Sequence, residues 1–165
     1  MKTPSLLAVS FGLSFLSFVG VAKEAQRPNV LWITAEDMSP VLGCYGDSYA
    51  TTPNIDKLAK ESVRYLNAYA TAPVCSPARS CIITGVHAVS LGTQHLRSDF
   101  ALPDFIHGFP HYLRKAGYFT TNNVKTDYNT SSEKRLIRES WNENSPKAHW
   151  RGRKDKSTPF FSIFN

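Results

Sequence analysis

One short segment carries the most specific chemical signal. Cys75-Ser76-Pro77-Ala78-Arg79-Ser80 places a thiol two residues before a proline and four before an arginine. Proline is favoured in the first turn of a helix, so Cys75 is expected at a loop-to-helix junction, where free backbone N–H groups favour an anion. Arg79 would lie one turn further on, as a charge partner or as an ordinary surface cation. The segment predicts anion chemistry at Cys75, with a reactive or structural thiol as the alternative.

Two adjacent acids follow the first strand-like segment. Residues 30–34 are apolar or β-branched and predict a buried strand, and Glu36 and Asp37 come just beyond its carboxyl end. Ligand sites of open α/β sheets lie at the carboxyl ends of strands, and carboxylates are hard oxygen ligands suited to Ca²⁺. The pair therefore predicts a metal site, with an acidic loop as the alternative.

The histidines and remaining cysteines carry weaker signals. His95 and Arg97 follow a Gly-Thr-Gln turn and are candidates for binding substrate hydroxyls or carboxylates, although an exposed loop is the more ordinary interpretation. Cys44 and Cys81 are either small core residues or a disulfide. The other histidines are interpreted as lacking the i, i+4 spacing of helical metal ligands, so no zinc centre is predicted. They lie at positions 87, 107, 111 and 149.

The elements that must position these residues alternate between strands and helices. Short apolar runs without alternation predict strands buried in a parallel sheet, and apolar residues at helical spacing predict helices between them. The predicted strands are residues 30–34, 68–71, 118–121 and 159–165, and the predicted helices are residues 52–66, 77–84 and 110–116. Residues 126–157 are polar and basic and are predicted to be loops. This order predicts an α/β fold with a mixed, largely parallel sheet flanked by helices.

The two ends of the chain add expectations about export and completeness. Residues 1–22 combine Lys2 with an apolar run that ends in small residues, which is typical of a secretory signal peptide, and residues 23–28 are a polar spacer. No stable membrane anchor is expected after cleavage. Residues 159–165 have the composition of a core strand with no covering helix after it, and such an exposed strand invites aggregation. The domain is therefore expected to be incomplete at its C-terminus.

The charge and cysteine count narrow the functional classes. The chain has 165 residues, a formal net charge of +6 and three cysteines, which fits one exported domain with at least one unpaired thiol. Much of the positive charge lies near the end, at residues 134–138 and 147–156. A solvated basic surface is the favoured interpretation, and export excludes nucleic acid as a partner.

The Cys-x-Pro-x-Arg core at Cys75 resembles the signature of the type I sulfatases, which belong to the alkaline phosphatase superfamily. Further segments resemble the same family in the same order, including a branch of bacterial enzymes that act on heparan-type glycans. The matching segments are residues 29–37, 42–47, 52–59, 82–85 and 91–98. The chain departs from the family pattern at Glu36, where an aspartate is usual, and at Asp127, where many relatives have histidine.

The resemblance implies a specific chemistry. A maturing enzyme would oxidise Cys75 to formylglycine, whose hydrate attacks the sulfur of a sulfate ester or sulfamate. Glu36, Asp37 and the modified Cys75 would hold Ca²⁺, Arg79 would orient the nucleophile and Lys125 would contact the sulfate. The expected substrate is a sulfated glycan, and the expected location is periplasmic or extracellular. Residues 29–165 would form the N-terminal part of the catalytic domain, inactive and poorly folded alone because further site residues would follow.

Two alternatives remain open. Phosphonate and phosphate monoester hydrolases of the same superfamily also use a Cys-x-Pro-x-Arg nucleophile, so the transferred group could contain phosphorus. The chain could also be a non-catalytic exported protein that binds acidic glycans through the basic stretch of residues 147–156.

Overall fold

The computed structural model describes residues 27–165. The predicted signal peptide and all but the last two residues of the predicted spacer lie outside the described residues. Four strands and five helices follow in chain order, with two 3₁₀ turns at Gly43–Tyr45 and Trp150–Gly152. The strands are β1 Val30–Ile33, β2 Phe119–Asn123, β3 Glu143–Asn144 and β4 Phe160–Phe164. The helices are α1 Pro53–Lys60, α2 Cys75–Thr84, α3 Ala88–Leu91, α4 Phe109–Lys115 and α5 Glu133–Ser140.

The strands form one sheet in the order β1-β4-β2-β3, and every strand pair is parallel. Leu31 pairs with Ser162, and Ser162 in turn pairs with Thr121 on the other side. β4 is therefore a central strand, and its inner residues Phe161 and Ile163 are buried. The predicted α/β fold is confirmed. The prediction of an exposed final strand is wrong, because β4 has a hydrogen-bonded neighbour on both sides.

The hydrophobic core lies between the sheet and helices α2, α4 and α5. Phe161 and Ile163 point to the same face of β4, since side chains alternate along a strand, and both belong to the core cluster with Leu136 of α5. Trp32 of β1 packs against Phe161 with ring centroids 6.2 Å apart. The other face of β4 is covered by Trp150, which lies 5.3 Å from Phe160 and 5.5 Å from Phe164.

Several predicted elements are confirmed, and others differ. β1, β2, β4, α2 and α4 lie where they were predicted, within two residues at most ends. β1 is largely exposed rather than buried, with Ile33 72% exposed, because it is an edge strand with one neighbour. α1 ends at Lys60 instead of continuing to residue 66, since Val63 and Leu66 find no packing partner and stay exposed.

Two other assignments are wrong. Residues 68–71 form no strand in the structure, and the segment is exposed. Residues 126–157 contain α5 and β3, not loops alone. α5 was missed because Leu136 and Ile137 are its only large apolar residues, yet Leu136 is fully buried and supplies the packing that stabilises the helix. None of the helices within residues 27–165 has the length and apolar character needed to cross a membrane.

Candidate active site

Cys75 is the first residue of α2, in agreement with the predicted loop-to-helix junction. The preceding residue, Val74, has φ of 68°, a left-handed conformation that is strained for a β-branched side chain. Pro77 is buried in the first turn, and Gly85 ends the helix with φ of 70°. A hydrogen bond of 2.8 Å between the hydroxyls of Ser80 and Thr93 ties α2 to the loop after α3. The backbone thus holds the half-buried Cys75 at the N-terminal end of a well-anchored helix.

Glu36, Lys125 and Cys75 form one polar cluster. The ammonium of Lys125 donates to a carboxylate oxygen of Glu36, and each side chain is about one third exposed. The Cys75 thiol beside Glu36 lowers the pKa of the carboxyl, and the hydrogen bond from Lys125 lowers it further. The nearby Glu36 carboxylate raises the pKa of the Cys75 thiol, and the charge of Asp37 adds to that rise. The unmodified thiol is therefore kept protonated, so it is disfavoured as a thiolate nucleophile.

The cluster lies at the carboxyl ends of three neighbouring strands. Glu36 follows β1, Asn165 directly follows β4, and Lys125 follows β2. The side chain of Lys125 reaches across the end of β4 to Glu36, and its pKa is raised, first by the hydrogen bond to that carboxylate. This is the edge at which parallel α/β sheets bind ligands.

Arg79 connects the helix of Cys75 to the segment of Lys125. Its Nε donates to the carbonyl of Thr126 at 2.6 Å, and its Nη2 donates to the carbonyl of Lys125 at 2.6 Å. Nη2 also donates to Oδ1 of Asn165 at 2.9 Å. These contacts are with the backbone and an amide, so Arg79 fixes the position of the Lys125 segment relative to α2. Its positive charge also contributes to lowering the pKa of Glu36.

Two asparagines complete this arrangement and were missed from the sequence. Asn165 Nδ2 donates to Oδ1 of Asn122 at 2.9 Å, and Asn165 Oδ1 accepts from Thr34 at 3.1 Å. Asn122, which is almost fully buried, donates to the carbonyl of Lys125 at 3.1 Å. The sequence signal was an amide at the carboxyl end of each of two strands, since Asn122 is in the last part of β2 and Asn165 directly follows β4.

The loop with His95 and Arg97 is tied to the segment that follows Lys125. Asn129 is buried and has φ of 58°, and its Nδ2 donates to the carbonyls of Thr93 and His95 at 2.7 Å each. The side chains of His95 and Arg97 are exposed. Within residues 27–165, no hydrogen bond or ion pair joins them to Cys75, Glu36 or Lys125. The structure therefore ties the backbone of this loop to Asn129 and leaves both side chains in solvent.

The interpretation that no two histidines have i, i+4 spacing is wrong. His107 and His111 are four residues apart, and their rings stack with centroids 4.3 Å apart. His107 Nδ1 lies 2.9 Å from Oε2 of Glu139 on α5. The three residues form a group with metal-ligand character between α4 and α5. All three cysteines are free, so Cys44 and Cys81 do not form a disulfide, and Cys81 is a buried core residue.

Glu36 and Asp37 have the right chemistry for a calcium site, but two residues supply only part of the ligands that Ca²⁺ takes. Glu36 and Asp37 supply hard oxygen ligands at the ligand-binding edge of the sheet, and Asp37 has φ of 51°, a strained conformation common at such sites. Ca²⁺ takes about six to eight oxygen ligands. Glu36 and Asp37 would thus hold one side of the ion, next to Cys75, and the ion would compete with Lys125 for Glu36.

The comparisons with known proteins agree with this geometry. The family model described as Sulfatase matches residues 28–160, and the chain belongs to the sulfatase family. The ulvan-active sulfatase of Formosa agariphila is 41% identical over 155 residues, covering 87% of this chain and 25% of that protein. The N-acetylglucosamine-6-O-sulfatase of Bacteroides thetaiotaomicron is 34% identical over 122 residues, covering 72% of this chain and 22% of that protein. The chain thus spans about a quarter of the length of these relatives.

Solved structures share the fold. A protein crystallised with its substrate D-glucosamine-2-N,6-O-disulfate superposes with a TM-score of 0.65 at 23% identity, over 84% of this chain and 34% of the other. The phosphonate monoester hydrolase of Agrobacterium radiobacter superposes with a TM-score of 0.56 at 24% identity, over 84% of this chain and 26% of the other. At these identities the likeness establishes the fold alone.

Proposed function

We propose that this sulfatase hydrolyses sulfate esters or sulfamates of sulfated glycans, with a formylglycine made from Cys75 as nucleophile. The observation that carries the proposal is the meeting of Cys75, Glu36 and Lys125 at the carboxyl edge of the sheet. A sulfate ester is anionic, and its hydrolysis needs a nucleophile beside cations that stabilise charge on the sulfate oxygens. The Cys75 helix tip and the Lys125 ammonium supply these two parts.

The residues of the chain have separate tasks in this scheme. The hydrated aldehyde supplies a hydroxyl that attacks sulfur and displaces the alcohol of an ester or the amine of a sulfamate, and a second hydroxyl whose deprotonation expels sulfate and restores the aldehyde. Ca²⁺ beside Glu36 and Asp37 would neutralise the charge of the sulfate. Lys125 provides a point charge for a sulfate oxygen, and Arg79 holds the Lys125 segment at a fixed distance from α2. The N-terminus of α2 adds backbone donors.

The proposed substrate class rests on the relatives and on the exposed loop. One similar protein is named for activity on ulvan and another for a sulfated amino sugar. His95 and Arg97 are exposed on a loop that Asn129 fixes close to the Lys125 segment, where they are available to sugar hydroxyls or carboxylates. The enzyme is proposed to work in the periplasm or outside the cell after export and cleavage near residue 22.

The first test is peptide mass spectrometry after co-expression with a formylglycine-generating enzyme. Trypsin places Cys75 in the peptide of residues 65–79 and Cys81 in the peptide of residues 80–97, which gives an internal control. Conversion of the thiol to an aldehyde lowers the mass by about 18 Da. We expect this loss in the Cys75 peptide and an unchanged, alkylatable thiol in the Cys81 peptide. An unmodified Cys75 beside an active maturing enzyme would contradict the proposed nucleophile.

The second test is turnover. We expect the purified, modified 165-residue chain not to hydrolyse an aryl sulfate, because the described residues supply only Glu36 and Asp37 as carboxylates at the edge of β1. Robust turnover by this chain would show that the expectation of an inactive fragment is wrong. Lys125→Met is the matched control, since turnover that survives it does not come from this site.

A phosphorus ester is the second candidate substrate, because the pattern from Cys75 to Arg79 also resembles the nucleophile segment of phosphonate and phosphate monoester hydrolases. Comparing kcat/KM for aryl sulfate and aryl phosphonate on a full-length homologue with the same Cys75 and Lys125 residues separates the two. Binding of acidic glycans through residues 147–156 is less favoured. Arg153 and Lys156 there donate to backbone carbonyls of their own loop, including the 2.6 Å bond from Arg153 to Trp150.

A further inference from the structure

We propose that His107, His111 and Glu139 form a binding site for a transition-metal ion of the Zn²⁺ class, separate from the candidate active site. His107 lies just before α4, His111 lies on α4, and Glu139 lies near the end of α5. Their three ligand atoms lie within 4.8 Å of one another. None of these residues takes part in the cluster of Glu36, Cys75 and Lys125.

The ligand types suit Zn²⁺ better than Ca²⁺. Two imidazoles and one carboxylate are a ligand set that Zn²⁺ uses with a fourth, open position for water. Tetrahedral Zn²⁺ with bonds of about 2.0–2.1 Å holds its ligand atoms about 3.4 Å apart. His107 Nδ1 and Glu139 Oε2 are 2.9 Å apart, and the ligand nitrogen of His111 lies no more than 4.8 Å from either atom. The His111 ring stacks on His107, so it would turn out of that stack to bind the same ion.

A second observation is the lack of a partner at His111. Its Nε2 is shielded from solvent and has no hydrogen-bond partner among the described residues. A buried polar atom left unpaired costs free energy, and such a group calls for an explanation, an ion being one. A metal would satisfy this nitrogen with a strong bond.

The surroundings provide access and hold the ligands. A surface cavity of about 440 Å³ borders His111 and Glu139, so an ion can enter from solvent. Arg135 lies 3.4 Å from Oε2 of Glu139, but it also donates to the carbonyls of Ile106 and Pro103 and is thereby held on the loop side. Arg114 donates to the carbonyl of Glu139 at 2.8 Å and orients that residue. Lys115 is the remaining cation that lines the cavity.

The test is equilibrium dialysis of the purified chain against Zn²⁺ in excess Ca²⁺, with bound zinc counted by mass spectrometry. We expect His111→Ala and Glu139→Gln each to weaken one equivalent of Zn²⁺ at least about ten-fold, a cost that even an outer-shell partner carries. His87→Ala, which removes an exposed histidine, should bind like the wild type. The cysteines are unchanged in the wild type and in the three variants. Any zinc bound by thiols therefore contributes equally to all four measurements.

Glu139→Gln keeps the size and hydrogen-bonding capacity of the side chain. If His111→Ala does not fold, Glu139→Gln still tests whether this site binds zinc. Far-UV circular dichroism without metal establishes which variants are folded. A zinc-dependent rise in Tm should be present in the wild type and in His87→Ala and absent in folded Glu139→Gln. Equal zinc binding in the wild type and Glu139→Gln, or no binding at micromolar free Zn²⁺, would overturn the proposal and leave a histidine–glutamate ion pair.

Discussion

Replacement of Arg79 by lysine tests whether this residue acts as a structural connection. Arg79 donates three hydrogen bonds, to the carbonyls of Lys125 and Thr126 and to the amide of Asn165. A lysine cannot reproduce this planar pattern. The carbonyl of Lys125 keeps a bond from Asn122, and the oxygen of Asn165 keeps one from Thr34. Only the Thr126 carbonyl would lose its side-chain partner.

The expected loss of stability in Arg79→Lys follows from the single carbonyl left without a side-chain partner. One polar group left unsatisfied costs about 1–3 kcal/mol, and because Arg79 is half-buried, water replaces part of the loss. We expect Arg79→Lys to lower the free energy of unfolding by about 1–2 kcal/mol, the lower part of that range. For a domain of this size this lowers Tm by about 2–8 °C.

Urea unfolding followed by tryptophan fluorescence measures this loss, and hydrogen exchange localises it. The amides of residues 124–127 should exchange faster in Arg79→Lys, while those of α5 should not change. Arg97→Lys is the matched control, because Arg97 is exposed and should change stability by less than about 0.5 kcal/mol. The reasoning is refuted if Arg79→Lys is as stable as Arg97→Lys and exchange in the segment is unchanged.

Four further predictions concern the sheet, the cluster and the core. Thr121 and Ser162 share a hydroxyl bond of 2.6 Å and are fully buried, so Thr121→Val should cost about 1–3 kcal/mol in urea unfolding, and adding Ser162→Ala should recover most of it. Glu36→Gln in metal-free buffer should lower the pKa of Cys75, so alkylation by iodoacetamide should begin at lower pH; an unchanged profile would contradict the influence of Glu36 on the thiol. Because the pKa of Glu36 is lowered, its contribution to stability is present above its ordinary pKa of 4.5 and is lost as pH falls below that value, so wild type and Glu36→Gln should converge in acid. Leu136→Ala, which empties a fully buried position on α5, should cost about 2–5 kcal/mol, and a loss below 1 kcal/mol would mean that α5 is not packed as described.

The sequence was sufficient for features that depend on local pattern. The apolar runs predicted β1, β2 and β4, and the rule on carboxyl ends placed Glu36 and Asp37 at the edge where the structure has them. Lys125 was predicted from the family resemblance, and it meets Glu36 at that edge. Helix α2 could also be predicted from the sequence, since Pro77 and Gly85 mark its two ends.

The remaining features depend on contacts between distant residues. Strand order is not encoded in any single segment, so the central place of β4 could not be read from its composition. α5 has too few apolar residues for a clear period and forms because Leu136 is buried by the rest of the core. The bond that Arg79 donates to Asn165 spans 86 positions, and the contact between His107 and Glu139 spans 32. Such pairings need the fold itself.

The central place of β4 also sets an order of assembly. β2 and β3 pair across about twenty residues, whereas β1 pairs only with β4, about 130 residues later in the chain. Loop closure makes distant pairings slow, so the β2-α5-β3 unit should form first and β1 should join last. At about 5–20 residues per second of synthesis, β1 waits roughly 7–26 s for its partner to be made. Glu36 and Asp37, which follow β1, would therefore reach the helix of Cys75 only after the rest of the sheet has formed.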